Sequence, residues 1–275
     1  GRFGFCVNQG QRASMEDAVD AIAQLDGAIP TEFYAVYDGH SGTQAVEFVK
    51  RRLPAAISSR CGFGDDPSRI DEVLCEAFSI TDEELLKDLQ QQRRSPAQKP
   101  LDSAVQTQTR GTYVLSSGCV GCVAIVRGAA VHVANLGDCR ALVCERGEIT
   151  ALTVDHRPEA NKDERERLEK LGIEVSSDGY LHGRIGVSRA FGDWAWDAEE
   201  KCRGLLCKPE VSTAEVTGDT EFLVLACDGI FDNMTTKEAG QIVRRRLRAG
   251  GDAKDAAETL VKHAVKRKGS DNMSA

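Results

Sequence analysis

Apolar residues along this chain fall into two patterns. Short, valine-rich runs recur at 33–37, 121–126, 131–136, 141–144 and 222–227. Runs of this length and composition predict buried strands. The stretch "CERGEIT", 144–150, sits after one of them and predicts a hairpin turn. The second pattern has helical spacing. Ile70, Val73, Leu74, Ala77 and Phe78 mark one buried face, which Leu85, Leu86 and Leu89 continue. A helix over 43–53 follows the first strand. "NKDERERLEKLG" predicts a charged amphipathic helix stopped by Gly172. "TTKEAGQIVRRRLRAGG" opens with Thr235 and Glu238 at capping-box spacing, and "DAKDAAETLVKHAVKRKG" repeats the plan. Helices come in pairs and strands in hairpin-like groups. That favours layered sheets flanked by helices over a parallel βαβ sheet. The polar segment 90–111, with two prolines, reads as a loose surface excursion.

Composition narrows the class. The 275 residues are 41% hydrophobic and 28% charged, ordinary for a globular protein with a substantial core. Lys and Arg number 35 against 43 Asp and Glu, a formal net charge of −8. Such a chain is a poor general nucleic-acid binder, and "RRRLR" at 244–248 reads as the solvated face of a helix. No apolar run approaches the roughly 20 residues of a membrane helix, and the first residues do not read as a signal peptide. Ten cysteines are scattered, several inside apolar runs. That usage points to a reducing compartment, and so to an intracellular protein, cytoplasmic or nuclear. Cys119 and Cys122 form one C-x-x-C, but within a predicted strand they point to opposite faces.

The informative chemistry lies where strands stop. "FYAVYDGHSG" is an apolar run that ends at Asp38, Gly39 and His40. Asp228 follows "FLVLAC", again with a glycine after it, and Asp138 closes "VHVANLG". An Asp-Gly pair alone is most simply a turn. Three strand ends carrying aspartate would instead gather hard oxygen ligands at one edge. Carboxylates crowd together only when a cation neutralises them, and Mg²⁺ or Mn²⁺ suits an all-oxygen set. Glu16 and Asp17 with Arg12 in "RASMEDAVD", Asp232 in "CDGIFDNM" and Asp271 in "SDNMSA" extend the series. Taken singly, each has a plain reading as a solvated pair, a helix-start acid, a turn residue or a surface ion pair.

Together these stretches resemble the metal-dependent serine/threonine phosphatase family, protein phosphatase type 2C. "RASMEDA", "FYAVYDGHSG", "ANLGDCRALV", "LTVDHRP", "GVSRAFGD", "LACDGIFDNM" and "SDNMSA" stand in the family's order from Arg12 to Ser274. The resemblance implies an α+β, four-layer α-β-β-α sandwich: two central antiparallel sheets flanked by helices, with 1–275 as one catalytic domain. It implies two Mg²⁺ or Mn²⁺ ions per chain and a weaker third. On the matching positions Asp38 bridges both ions and the Gly39 carbonyl binds one. Asp228 and Asp271 bind the other, and Glu16 and Asp17 act through metal-held water. Arg12 holds the phosphate and His40 protonates the leaving oxygen. Asp138, Asp228 and Asp232 match the third site. A metal-bridged hydroxide attacks phosphorus with no phospho-enzyme. Phosphoproteins are the implied substrates, with no nucleic acid, no membrane and a monomer as the default state.

The chain departs from the family in three places. Ser41 replaces a glycine and is expected at a helix start as a cap. "SGCVG", 117–121, lacks two hydroxyls of the family's "SGTTA". The sequence stops at Ala275 where the family continues, so a C-terminal strand is expected to be missing and Asp271 to lie near a fraying end. Segment 187–211 matches a variable flap, and its Trp194 and Trp196 are expected to pack that flap onto the body more than to touch substrate. Two other functions compete. A catalytically inactive pseudophosphatase acting as a regulatory binding protein would be expected to have lost metal carboxylates. A carboxylate-metal nuclease would need a basic track that this composition lacks.

Overall fold

The computed structural model describes residues 3–25, 30–60, 69–94, 116–194 and 201–275. Its largest sheet has the order β2 (Asp17–Ile22), β3 (Thr31–His40), β4 (Gly118–Arg127), β5 (Ala130–Leu136) and β9 (Glu210–Glu215), with the short β8 (Phe191–Gly192) pairing the start of β4. A second sheet has the order β10 (Thr220–Ala226), β6 (Arg140–Glu145) and β7 (Glu148–Ala151). All these named pairings are antiparallel. Helices α1 (Gln44–Arg60) and α2 (Ile70–Arg94) cover the first sheet, and α5 (Thr236–Arg248) and α6 (Ala253–Lys266) cover the second. The charged α3 (Lys162–Lys170) and the single-turn α4 (Asp228–Phe231) complete the helices among the described residues.

Strand alternation explains why the sandwich has four layers. In β3, Phe33, Ala35 and Tyr37 pack toward α1 and α2, while Tyr34 and Val36 pack toward the other sheet. In β4, Cys119, Val123 and Ile125 take the helix side, and Val120, Cys122 and Ala124 the inter-sheet side. Both faces of these strands are buried, so they read as unbroken apolar runs rather than as alternating ones. The same division puts Phe222 and Val224 of β10 against α5 and α6, and Leu223 and Leu225 between the sheets. Cys119 and Cys122 therefore do lie on opposite faces, in different clusters.

The helix signals hold with adjusted ends. Helices α5 and α6 each carry a complete capping box, Thr235 with Glu238 and Asp252 with Asp255. Helix α1 runs past Pro54 to Arg60 because Ala56 and Ile57 continue its buried face. The turn after β6 places Arg146 and Gly147 at φ of 49° and 87°, as a two-residue hairpin requires. Excursion 90–111 begins as helix to Arg94, and its remainder lies outside the described residues. The end of the chain is paired: β11 (Met273–Ser274) lies beside β1 (Val7–Asn8), and Cys6 and Ala275 exchange both backbone hydrogen bonds.

Candidate metal centre and catalytic cleft

The structure corrects one reading of the sequence. Strand β3 does not stop at Asp38 but runs through Asp38, Gly39 and His40, pairing them with Val120, Cys119 and Gly118. Gly39 is needed for closeness rather than for a turn. A Cβ there would lie 2.5 Å from the Glu16 carbonyl oxygen, to which the Gly39 amide donates at 3.0 Å. The turn comes later, at Ser41 and Gly42, with φ of 59° and 115°. Ser41 thus occupies a left-handed position, which explains the glycine usual there, and the carbonyl of Thr43 rather than Ser41 opens α1.

Register then builds the centre. Asp17 of β2 stands directly opposite Asp38 of β3. Like charges in that position repel unless something neutralises them. Asp17 accepts from the Ser274 hydroxyl at 2.8 Å through one oxygen, while its Oδ1 is buried with no hydrogen-bond partner. Ligand atoms of Asp17, Asp38 and Cys227 all lie within 4.8 Å of one another. Burial holds the Asp38 carboxyl well above its usual range, and the neighbouring charges of Asp228, Asp17 and Asp138 push it further the same way. Burial also raises Asp17, with Ser274 offsetting part of the effect, and raises Asp228, with Asp138 and Asp232 adding to it. A buried acid cluster with an orphaned carboxylate oxygen fits a divalent cation. Cys227 is the weaker donor, because burial raises its thiol far from the thiolate form.

Above the cluster opens a cleft of about 1220 Å³. Arg12, Glu16, Asp38, Gly39, His40, Asp138, Asp228, Asp232 and Asp271 all line it, and Asp17 lies beneath. Arg12 is exposed, and its Nη2 donates to Asp271 Oδ2 at 2.6 Å. His40 Nε2 lies 2.9 and 2.8 Å from the two oxygens of the buried Asp193. Burial disfavours the charged imidazole, but Asp193 outweighs it and the His40 pKa is raised.

Asp138, Asp228 and Asp232 also converge, but on a guanidinium. Arg157 reaches Asp138 and Asp228 at 2.7 Å each and Asp232 at 3.0 Å. One guanidinium thus meets all three carboxylates expected at the third site.

Three working residues escaped the reading of the sequence: Asp193, Arg157 and Asn272. All sit in recognised stretches, but none had an assigned role. Asn272 accepts from the Glu16 amide at 2.6 Å and donates to the Gln9 and Ser14 carbonyls at 2.9 and 3.0 Å, clamping the segment that carries Arg12 and Glu16. Trp194 packs on the core of the first sheet and also lines the cleft, with Lys201 Nζ 5.0 Å from its ring centre. Trp196 lies outside the described residues.

Residues 1–273 match the family model for protein phosphatase 2C. The chain belongs to the protein phosphatase 2C family. It is 35% identical over 288 residues to probable protein phosphatase 2C 22 of Arabidopsis thaliana, covering 100% of this chain and 67% of that one. To probable protein phosphatase 2C 57 of Oryza sativa subsp. japonica it is 34% identical, covering 99% of this chain and 71% of that one. The fold recurs in a serine-threonine phosphatase 2C from Toxoplasma gondii, with a TM-score of 0.76 at 23% identity over 98% of this chain and 92% of that one. It recurs also in a C. elegans sex determining protein, with a TM-score of 0.79 at 20% identity over 98% of this chain and 62% of that one. The chain is thus a metal-dependent protein serine/threonine phosphatase, a hydrolase of phosphoproteins. No described helix is long and apolar enough to cross a membrane.

Proposed function

We propose that the cleft hydrolyses phosphoserine and phosphothreonine with the roles divided as follows. Asp38, the Gly39 carbonyl, Asp228 and Asp271 hold two Mg²⁺ or Mn²⁺ ions, supported by Glu16 and Asp17. Bound there, the ions supply Lewis acidity, neutralising phosphate charge and making water a nucleophile near neutral pH. Arg12 stands at the rim as the anchor for the phosphate. Asp271 takes one Nη2 hydrogen, which leaves the other guanidinium N–H groups to meet phosphate oxygens. His40 gives its Nε2 hydrogen to Asp193, so Nδ1 is the nitrogen that protonates the leaving seryl or threonyl oxygen. The same chemistry needs no cysteine nucleophile.

The observation that carries this reading is the register of Asp17 opposite Asp38, with a buried unpartnered oxygen between acids. The inactive-pseudophosphatase alternative draws no support from the cleft, where Arg12, Glu16, Asp38, Asp228 and Asp271 are all in place. The whole of 1–275 acting as one catalytic domain, in a monomer, belongs to the same reading.

The test is phosphate release from a phosphothreonine peptide with Mn²⁺ or Mg²⁺, repeated in EDTA and with Asp38→Asn. We expect turnover to fall at least about 100-fold in both controls. Turnover that survives chelation, or that survives Asp38→Asn, overturns the metal-centre reading.

A further inference from the structure

Arg157 sits between β7 and α3, in a turn braced on both sides. The buried His156 before it accepts from the Gly137 amide through Nδ1 at 3.0 Å and donates its own amide to the Gly137 carbonyl at 2.9 Å. The His156 carbonyl accepts from the Ser188 amide at 2.8 Å. Asn161, just after, donates to the Asp155 carbonyl at 2.9 Å, and Asp155 is itself locked to Arg140 at 2.7 and 2.6 Å. The backbone around Arg157 is therefore braced by hydrogen bonds on both sides.

All three nitrogens of the Arg157 side chain are engaged. Nε meets Asp138 Oδ2, Nη2 meets Asp228 Oδ2 and Nη1 meets Asp232 Oδ1. Each nitrogen serves one carboxylate, and the guanidinium is largely covered, with 22% of the side chain exposed. A guanidinium keeps its charge at any ordinary pH and offers a rigid fork of donors. An incoming Mg²⁺ or Mn²⁺ would need the same oxygens. It would also have to strip three charge-assisted hydrogen bonds from a largely covered cation and leave that cation unpaired beside its own charge.

We propose that Arg157 is this phosphatase's resident cation at the Asp138–Asp228–Asp232 corner, so that this corner takes no third divalent ion. The inference rests on the reading that the neighbouring Asp38 cluster is the metal centre. Arg157 is a positioning residue: it occupies Asp228 Oδ2 and leaves Oδ1 for the ions at Asp38. The class of device is a fixed organic cation in place of a weakly held inorganic one.

The experiment counts bound Mn²⁺ directly, by titration calorimetry and by the paramagnetic signal of free Mn²⁺, on the full chain. Wild type is set beside Asp38→Asn, Arg157→Gln, Arg157→Lys and Asp232→Asn. Arg157→Gln should bind about one more Mn²⁺ per chain than wild type, and adding Asp232→Asn should abolish that gain. Arg157→Lys, which keeps a charge in the corner, should bind as wild type does. Asp232→Asn alone should leave the wild-type count unchanged. A count lowered by about one in Asp232→Asn overturns the proposal, as does Arg157→Gln binding no more than wild type. If Arg157→Gln does not fold, Asp232→Asn decides alone, because its side chain is half exposed and its loss is tolerable. Failure of the metal-centre reading looks different: Asp38→Asn then binds as many ions as wild type, whatever happens at the corner.

Discussion

His40 and Asp193 are 153 positions apart, and their pairing depends on a side chain that is not there. A Cβ on Gly118 would lie 2.2 Å from His40 Nε2 and 2.3 Å from Asp193 Oδ2. The departure of "SGCVG" from the family pattern therefore leaves the necessary residue intact, and the two lost hydroxyls fall on buried, apolar Cys119 and Val120. Removing the Asp193 charge removes what holds the His40 pKa up, so burial then dominates and the pKa falls. An acid must be protonated to act, so its activity is lost as pH rises through its pKa. Asp193→Asn should therefore move the alkaline limb of kcat to lower pH. It should also cut turnover of a phosphothreonine peptide about 10- to 100-fold while sparing p-nitrophenyl phosphate, whose leaving group needs no proton. Equal losses on both substrates would show that Asp193 only supports the fold. The acids after apolar runs were legible because their own neighbours mark them. Asp193, Arg157 and Asn272 were not, because the groups that give them work lie 153, 71 and 256 positions away.

At the scale of elements, long apolar runs announced the core strands, while the edge strands of the larger sheet were silent. Strand β2, "DAVDAI", offers only half-buried residues after Asp17, and β9 is mostly half-buried or exposed, so neither shows an apolar run. Asp-Gly read as punctuation because turns are its commonest setting. In β3 the glycine serves a close approach between strands, which local sequence does not disclose. Helix α3 shows a second hidden device. Its Glu164 is buried, and Arg167 and Arg189 reach it at 2.8 and 2.7 Å, with the Ser188 hydroxyl donating to the same carboxylate. Burial opposes the carboxylate, yet these partners win and hold its pKa at about 2. Because the folded value is depressed, the stability is complete above the unfolded carboxylate range. It fades as pH falls from about 4.5 toward 2. Glu164→Gln strands two partly covered arginines and should cost about 2–3 kcal/mol in urea unfolding at pH 7, less than a fully buried pair. The gap between variant and wild type should close in acid. A gap unchanged at pH 3 would mean that shape rather than charge fixes this contact.

Across the whole molecule, two sheets each bury one face against a helix pair and the other against each other, and both contribute acids to the same end of the sandwich. Paired helix signals and grouped strand signals were enough to foresee that layering. They could not show that assembling the layers brings Asp17, Asp38, Asp138 and Asp228 into one buried neighbourhood, where the metal-free chain carries a strain of its own making. Burial raises all four carboxyl pKa values, at Asp138 despite the charge of Arg157. A carboxylate whose folded pKa is raised costs nothing below its unfolded pKa, where both states are protonated. The cost grows as pH rises toward the folded value and is complete above it. In EDTA the cluster should therefore weigh less against folding at pH 5 than at pH 7.5 and beyond. Mn²⁺ replaces the missing counter-charge and stabilises the folded state by mass action, and below the folded pKa it must first displace protons. The rise in Tm on adding Mn²⁺ should thus be small at pH 5 and reach about 5 °C or more at pH 7.5. Asp38→Asn, which removes one of the crowded charges, should raise the melting temperature in EDTA at pH 7.5 while shrinking the response to Mn²⁺. Calorimetric scans across that pH range decide it. A metal response that does not change with pH, or an Asp38→Asn protein less stable than wild type in EDTA, would show that the acid cluster is not the site of the strain.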